Sequence, residues 1–272
     1  MTDGLKDVQS SPDNRNIPLQ KVGVRGIRWP MAVLDRAKGV QHTIGTFELA
    51  VDLPHHFKGT HMSRFVEVLS GYRDEFRVVN LEPLLAHLRE KLKAGRAYLN
   101  VRFPYFVAKR APVSLKESLM EYDCAFSACL GEAFDFELEV CVPVTTLCPC
   151  SKEISDRGAH NQRGYVTARL KCDSSLWLEE AIEMIENSAS CDLYPLLKRT
   201  DEKWVTEHAY DNPRFVEDIV REIALAFDQE PRIYGYTIEA ENLESIHAHN
   251  AFAMVARGHQ PFAPLADGCG VV

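Results

Sequence analysis

LMEYDCAFSACL (Leu119–Leu130) and AFDFELEVCVPVTTL (Ala133–Leu147) are two apolar and aromatic runs separated only by Gly131 and Glu132. Their lengths and the glycine between them predict a long antiparallel pair turning near Gly131. Upstream, VGVRGIRWPM and QHTIGTFELAVDLP read as strands, the second by partial alternation of β-branched or aromatic with polar residues. THMSRFVEVL carries Phe65, Val66 and Leu69 at helical spacing. LEPLLAHLREKL carries Leu81, Leu84, Leu85, Leu88 and Leu92 behind Asn80 as cap, and RAYLNVRFPYFVAKRAPV returns to strand.

Downstream, SSLWLEEAIEMIENSA reads as an amphipathic helix capped by Ser174 or Ser175. NPRFVEDIVREIALAF reads as a helix with Asn212 as cap, Pro213 in the first turn, and Val216, Ile219, Val220, Ile223 and Phe227 in one stripe. PRIYGYTIEA and SIHAHNAFAMVA close as strands, and LLKRTDEKWVTEH reads as a solvated loop. Two strands, two helices and a return to strand recur in both halves, so a plan of strand, strand, helix, helix, strand, strand occurring twice is expected. The expected organisation is an arm over 1–18, low in apolar residues and disordered, then modules over 19–112 and 113–272.

The chain has 272 residues, 46% hydrophobic and 26% charged, which is ordinary globular composition. A net charge of -8 argues against a nucleic-acid binder, which needs a broad basic surface to release counterions. The polar start has no apolar leader, and no stretch is long enough to span a bilayer, so a cytoplasmic protein without a membrane partner is expected. Its eight cysteines are then reduced thiols, most of them small buried hydrophobes such as Cys124 and Cys141.

The exception is TTLCPCSKEISDRGAHNQRG, Thr145–Gly164, which sets Cys148 and Cys150 around a proline and His160 after them. Sulfur and imidazole are ligands for Zn²⁺, Fe²⁺ or Mn²⁺. Pro149 cannot donate to a ladder, so the strand should end there and the two sulfurs need not converge. One cysteine as ligand and one as helper is the expectation. A cysteine nucleophile with His160 as base, and a strained redox pair, stay open beside it. In NLESIHAHNAF, His247 and His249 stand at i and i+2 on a strand-like run, facing one way, and a bend at Leu243–Ser245 is needed to bring Glu244 to them. Glu217 lies at the border of the apolar helix stripe, where a carboxylate can accept two parallel N–H bonds from a flat heterocycle.

PVTTLCPCSKEISDRGAHNQRG, LLKRTDEKWVTEHAYDNPRFVEDIVREIA, IEAENLESIHAHNAFA and HFKGTHMSRF together resemble the prokaryotic type IB GTP cyclohydrolase I, over nearly the whole chain after the arm. The resemblance implies an α+β tunnelling fold, with tandem ββααββ modules of antiparallel sheet and paired helices assembling into barrels, and a homotetramer with sites at subunit interfaces. It implies conversion of GTP and water to 7,8-dihydroneopterin triphosphate and formate, at the entry to folate and queuosine synthesis, with a divalent Zn, Mn or Fe cofactor. By motif position it implies Cys148, His160 and Glu202 at the metal, Glu217 on guanine, and Glu244, His247 and His249 in proton transfer. Cys150 is expected beside the substrate, and His61 and Arg64 on the triphosphate, where Lys198, Arg199 or Lys203 would add charge.

Overall fold

The computed structural model describes residues 9, 11–72 and 78–258. Nine strands pair in the order β1-β2-β3-β4-β5-β6-β8-β9, with β7 off this path against β5, and every register recorded is antiparallel. The chain forms two compact units, Met1–Phe103 with Ala125–Phe136, and Pro104–Cys124 with Glu137–Val272.

In the first unit, β1 (Leu19–Asp35) and β2 (Gly39–Leu53) form a long hairpin. Asp35 Oδ1 accepts the Ala37 and Lys38 N–H groups at 2.8 and 2.6 Å and so fixes its turn. β2 then pairs with β3 (Ala97–Arg110), whose residues up to Phe103 belong to this unit. Helix α1 (Met62–Ser70) buries Phe65 and Leu69 with Val68 and turns the expected Val66 out to solvent, while α2 (Leu81–Leu92) buries Leu81, Leu84, Leu85 and Leu88 as its spacing implies. Asn80 makes no side-chain cap bond, because it belongs to a short 3-10 turn, Val78–Asn80, that runs into α2. Residues 1–8 and 10 of the expected arm lie outside the described residues. Its remainder is tied down: Gln9 O, Ser11 O and Asp13 N bond the backbone of Gly59, Lys58 and His56 at 3.1–3.2 Å. Backbone pairing of this kind leaves no trace in apolar content.

β4 (Glu117–Leu130) and β5 (Phe134–Leu147), the pair expected to turn near Gly131, give their turn end, Ala125–Phe136, to the first unit and their other ends to the second. β6 (Asn161–Cys172) runs antiparallel to β5, and β8 (Ile233–Asn242) and β9 (Ala251–Arg257) follow. Gly164 is needed where β6 meets β8, because a Cβ there would stand 2.6 Å from Asn242 Oδ1. Helix α4 spans Leu178–Glu186, β7 Cys191–Asp192, α5 Arg199–Asp211 and α6 Val216–Gln229. The α6 stripe is fully buried as its periodicity requires, each of its five apolar side chains contributing about 2 kcal/mol by leaving water.

Three expectations are corrected here. The stretch read as a solvated loop is helix α5, which buries little apolar surface and is held instead by Asp201 at its start. The α4 N-cap position is Trp177, whose N–H is taken by Glu180 at 3.0 Å, while Ser175 N–H goes to Asp173. Asn212 ends α5 and donates to the Ala189 and Ser190 carbonyls, so that α6 begins at Phe215 under the Asp218 carboxylate.

A buried polar cluster braces this unit. Lys109 Nζ donates to Glu186 Oε1 at 2.7 Å and to Asp192 Oδ2 at 3.0 Å, and Tyr122 OH donates to Glu186 Oε1 at 2.6 Å. Burial, with the Glu186 charge beside it, pushes the Tyr122 phenol up.

Candidate active site

The β5–β6 register sets up the site. Leu147 pairs with Asn161, so one step further Cys148 stands opposite His160, and the Cys148 N–H does donate to the His160 carbonyl at 3.1 Å. Twelve residues of separation collapse into a cross-strand pair whose side chains are near neighbours. Between them lies α3 (Pro149–Ile154), started by Pro149 where the strand was expected to stop. Cys148 is its N-cap, and Cys148 Sγ accepts the Ser151 N–H at 3.5 Å. Ser151 Oγ donates to the Cys148 carbonyl at 3.1 Å and accepts the His160 N–H at 3.2 Å, so one hydroxyl holds both residues. On the other side of β5, Arg214 N–H bonds the Leu147 carbonyl and Leu147 N–H bonds Ser190 Oγ. Cys148 and His160 are half-buried, whereas Cys150, in α3, is exposed to solvent.

The second arm of the site follows β8. Leu243 N–H bonds the Arg163 carbonyl at 2.9 Å, and the chain then leaves the sheet. Residues 245–249 form bends, so His247 and His249 are on a loop and not on the expected strand. The loop still gathers them: the His247 ring centroid lies 5.3 Å from His249 and 6.3 Å from His160. The bend also brings Glu244 round, its Oε2 3.5 Å from His247 Nδ1. At that distance no hydrogen bond is formed, and Glu244 Oε2 is buried without a hydrogen-bond donor. An acceptor left bare in this way costs about 1–3 kcal/mol and can accept a substrate N–H.

Glu217 is the second residue of α6 and is exposed. Glu202 stands in the first turn of α5, also exposed, next to the wholly buried Asp201. Lys203 is held by Glu207 at 2.6 Å. Among the described residues, no three His, Cys, Asp or Glu side chains are grouped so as to hold a metal ion. Within one chain, Glu202 is therefore not gathered with Cys148 and His160. In the first unit, His61 is the N-cap of α1 and Arg64 lies in its first turn, with Nη1 bonded to the Lys91 carbonyl at 3.2 Å.

Sequence reasoning passed over Gln162, Thr146, Ser151 and Asp201. All four are polar residues inside the quoted motifs, and the register and burial single them out. The signal was there for Asp201, because Asp three residues past Lys198 is capping spacing.

An antiparallel α+β protein with a thiol, three imidazoles and a carboxylate near one strand end carries the kinds of side chain that acid–base chemistry uses. The model of the type I GTP cyclohydrolase folE2 family matches residues 5–253, and the chain belongs to that family. It is 52% identical over 253 residues to the GTP cyclohydrolase FolE2 of Geotalea uraniireducens, covering 93% of each chain. It is 53% identical over 256 residues to that of Citrifermentans bemidjiense, covering 94% of this chain and 96% of the relative. It is thus a GTP cyclohydrolase, as the sequence motifs implied. Among solved structures, a uricase from Arthrobacter globiformis aligns with a TM-score of 0.52 at 9% identity, over 90% of this chain and 96% of that one. Urate oxidase from Bacillus sp. TB-90 aligns with a TM-score of 0.53 at 8% identity, over 89% and 100%. At such identity the likeness concerns the fold alone, which is the tunnelling α+β type. Among the described residues no helix is long and apolar enough to cross a membrane.

Proposed function

We propose that the enzyme is the type IB form, converting GTP and water to 7,8-dihydroneopterin triphosphate and formate in the cytoplasm, for folate and queuosine synthesis. The observation that carries this reading is the facing of Cys148 and His160 at the end of β5–β6, with Glu244 and His247 beside them. Sulfur and imidazole on facing positions suit a divalent Zn, Mn or Fe ion, which when bound acidifies water at neutral pH. Cys148 and His160 would hold it. Glu202 is the third donor of the proposal, joining them in the assembled, metal-loaded enzyme, for which a homotetramer of barrels built from modules 19–112 and 113–272 is the expected state.

Glu217 accepts the N1–H and 2-amino hydrogens of guanine on its two oxygens. His247 and His249 carry protons to and from the purine ring as it opens and the formyl group is hydrolysed. Glu244 orients His247 and stores a proton on its bare oxygen. Cys150 borders the substrate, and His61 and Arg64 contact the triphosphate. The test is incubation of metal-loaded protein with GTP, followed by oxidation, with pterin fluorescence and formate read in parallel. Equimolar pterin and formate, both abolished by chelation, are expected. Turnover that persists in chelator, or formate without pterin, would contradict the reading.

A further inference from the structure

We propose that Gln162 is a positioning residue that fixes the tautomer and facing of His160. It rests on the reading of His160 as a metal ligand. Gln162 is the second residue of β6 and stands directly opposite Thr146 of β5 in the register. Both are buried, at 9% and 0% exposure. Gln162 Nε2 donates to Thr146 Oγ1 at 2.7 Å, and Gln162 Oε1 lies 2.9 Å from His160 Nδ1. With its NH₂ end anchored on the neighbouring strand, the amide presents only its oxygen to the imidazole. A carbonyl oxygen can only accept, so Nδ1 carries the ring proton.

A neutral imidazole protonated at Nδ1 has its lone pair at Nε2, the form a metal ion or an acidic proton requires. The backbone removes the remaining freedom, because His160 N–H is bonded to Ser151 Oγ and His160 O to Cys148 N–H. The sheet thus selects the ring's reactive nitrogen before any ligand arrives. A leucine or methionine in place of Gln162 would leave both the tautomer and the Thr146 hydroxyl unspecified.

The first test uses the unmutated protein without metal, labelled with ¹⁵N-histidine. A pyrrole-type Nδ1 and a pyridine-type Nε2 for His160 are expected, and the reverse assignment would overturn the proposal. The second titrates Mn²⁺ or Zn²⁺ calorimetrically into Gln162→Met and Gln162→Glu, with melting curves to certify the fold. Loss of the acceptor should weaken metal binding roughly 10–100-fold in Gln162→Met, while Gln162→Glu, which keeps an acceptor, stays within about threefold of the parent. Parent-like affinity in a folded Gln162→Met protein would also overturn it. His160→Ala run alongside separates the two levels: unchanged affinity there faults the ligand reading, and the ¹⁵N result still decides the tautomer.

Discussion

Asp201 and Glu244 are both acidic side chains withdrawn from water in the same unit, and they are used in opposite ways. Asp201 is fully buried and accepts four hydrogen bonds, from Val113 N, Ser114 N, Ser114 Oγ and Lys198 N, at 2.6–2.9 Å. Burial pushes its carboxyl up, but the bonds from Ser114, Lys198 and Val113 outweigh that and hold it well below the usual carboxylate range. Every lone pair is committed to joining the start of α5 to the Val113–Ser114 turn. Glu244 has a buried oxygen with no donor, and its nearest partner is a histidine at 3.5 Å. The saturated carboxylate holds the backbone that carries Glu202, and the unsaturated one is the one to which the proposed function gives a chemical role.

Mutation should separate the two roles. Glu244→Gln would remove the proposed proton store while keeping the shape, so kcat should fall on the order of 10²–10⁴-fold with the melting temperature unchanged or raised. Stopped assays of GTP turnover and a melting curve read both quantities, and a stable Glu244→Gln enzyme with parental kcat would erase the contrast. Next comes Glu217→Gln, which turns a donor toward the guanine amino group and should raise the GTP dissociation constant roughly 10–100-fold while the fold survives. Equal affinity in equilibrium dialysis would remove Glu217 from the base site. Asp201→Asn should do the reverse of Glu244→Gln: a lower melting temperature, with turnover reduced only as far as the fold loosens.

The acid limb sharpens the same point. A carboxyl whose folded value is depressed contributes stability that is present above its unfolded value and is lost as pH falls through the folded one. The parent should therefore lose stability as pH drops below about 4, and Asp201→Asn should show a flatter acid limb in melts taken across pH. An identical slope would mean the Asp201 bonds do not hold the charged form. The smallest effect is expected for Cys150→Ser. Its side chain is exposed, and KM for GTP should move only a few-fold.

Apolar periodicity made much of this legible in the sequence. The α6 stripe, both leucine-rich and phenylalanine-containing helices of the first unit, and the stop at Pro149 follow from burial and from the missing proline N–H. What escaped was set by polar bonds or by neighbours. β6 begins with Asn161, Gln162 and Arg163, which carry no apolar alternation, and it is a strand there because β5 supplies its partners. α5 buries only Asp201 and Ala209, so it looked like solvated chain. The residues His247 and His249 were read as strand, yet the ladder ends at Leu243 and the loop's bends bring their rings together. Motif position singled out Cys148 and His160, but only the register, 148 against 160, explains why the eleven residues between them do not keep them apart.

The central claim is that this strand-end pair grips a divalent ion through its sulfur. Its most direct test is the absorption spectrum of the protein loaded with Co²⁺. A thiolate-to-cobalt charge-transfer band that vanishes in Cys148→Ala and survives in Cys150→Ser is predicted. Cobalt bound with no such band, or a band indifferent to Cys148, would contradict it.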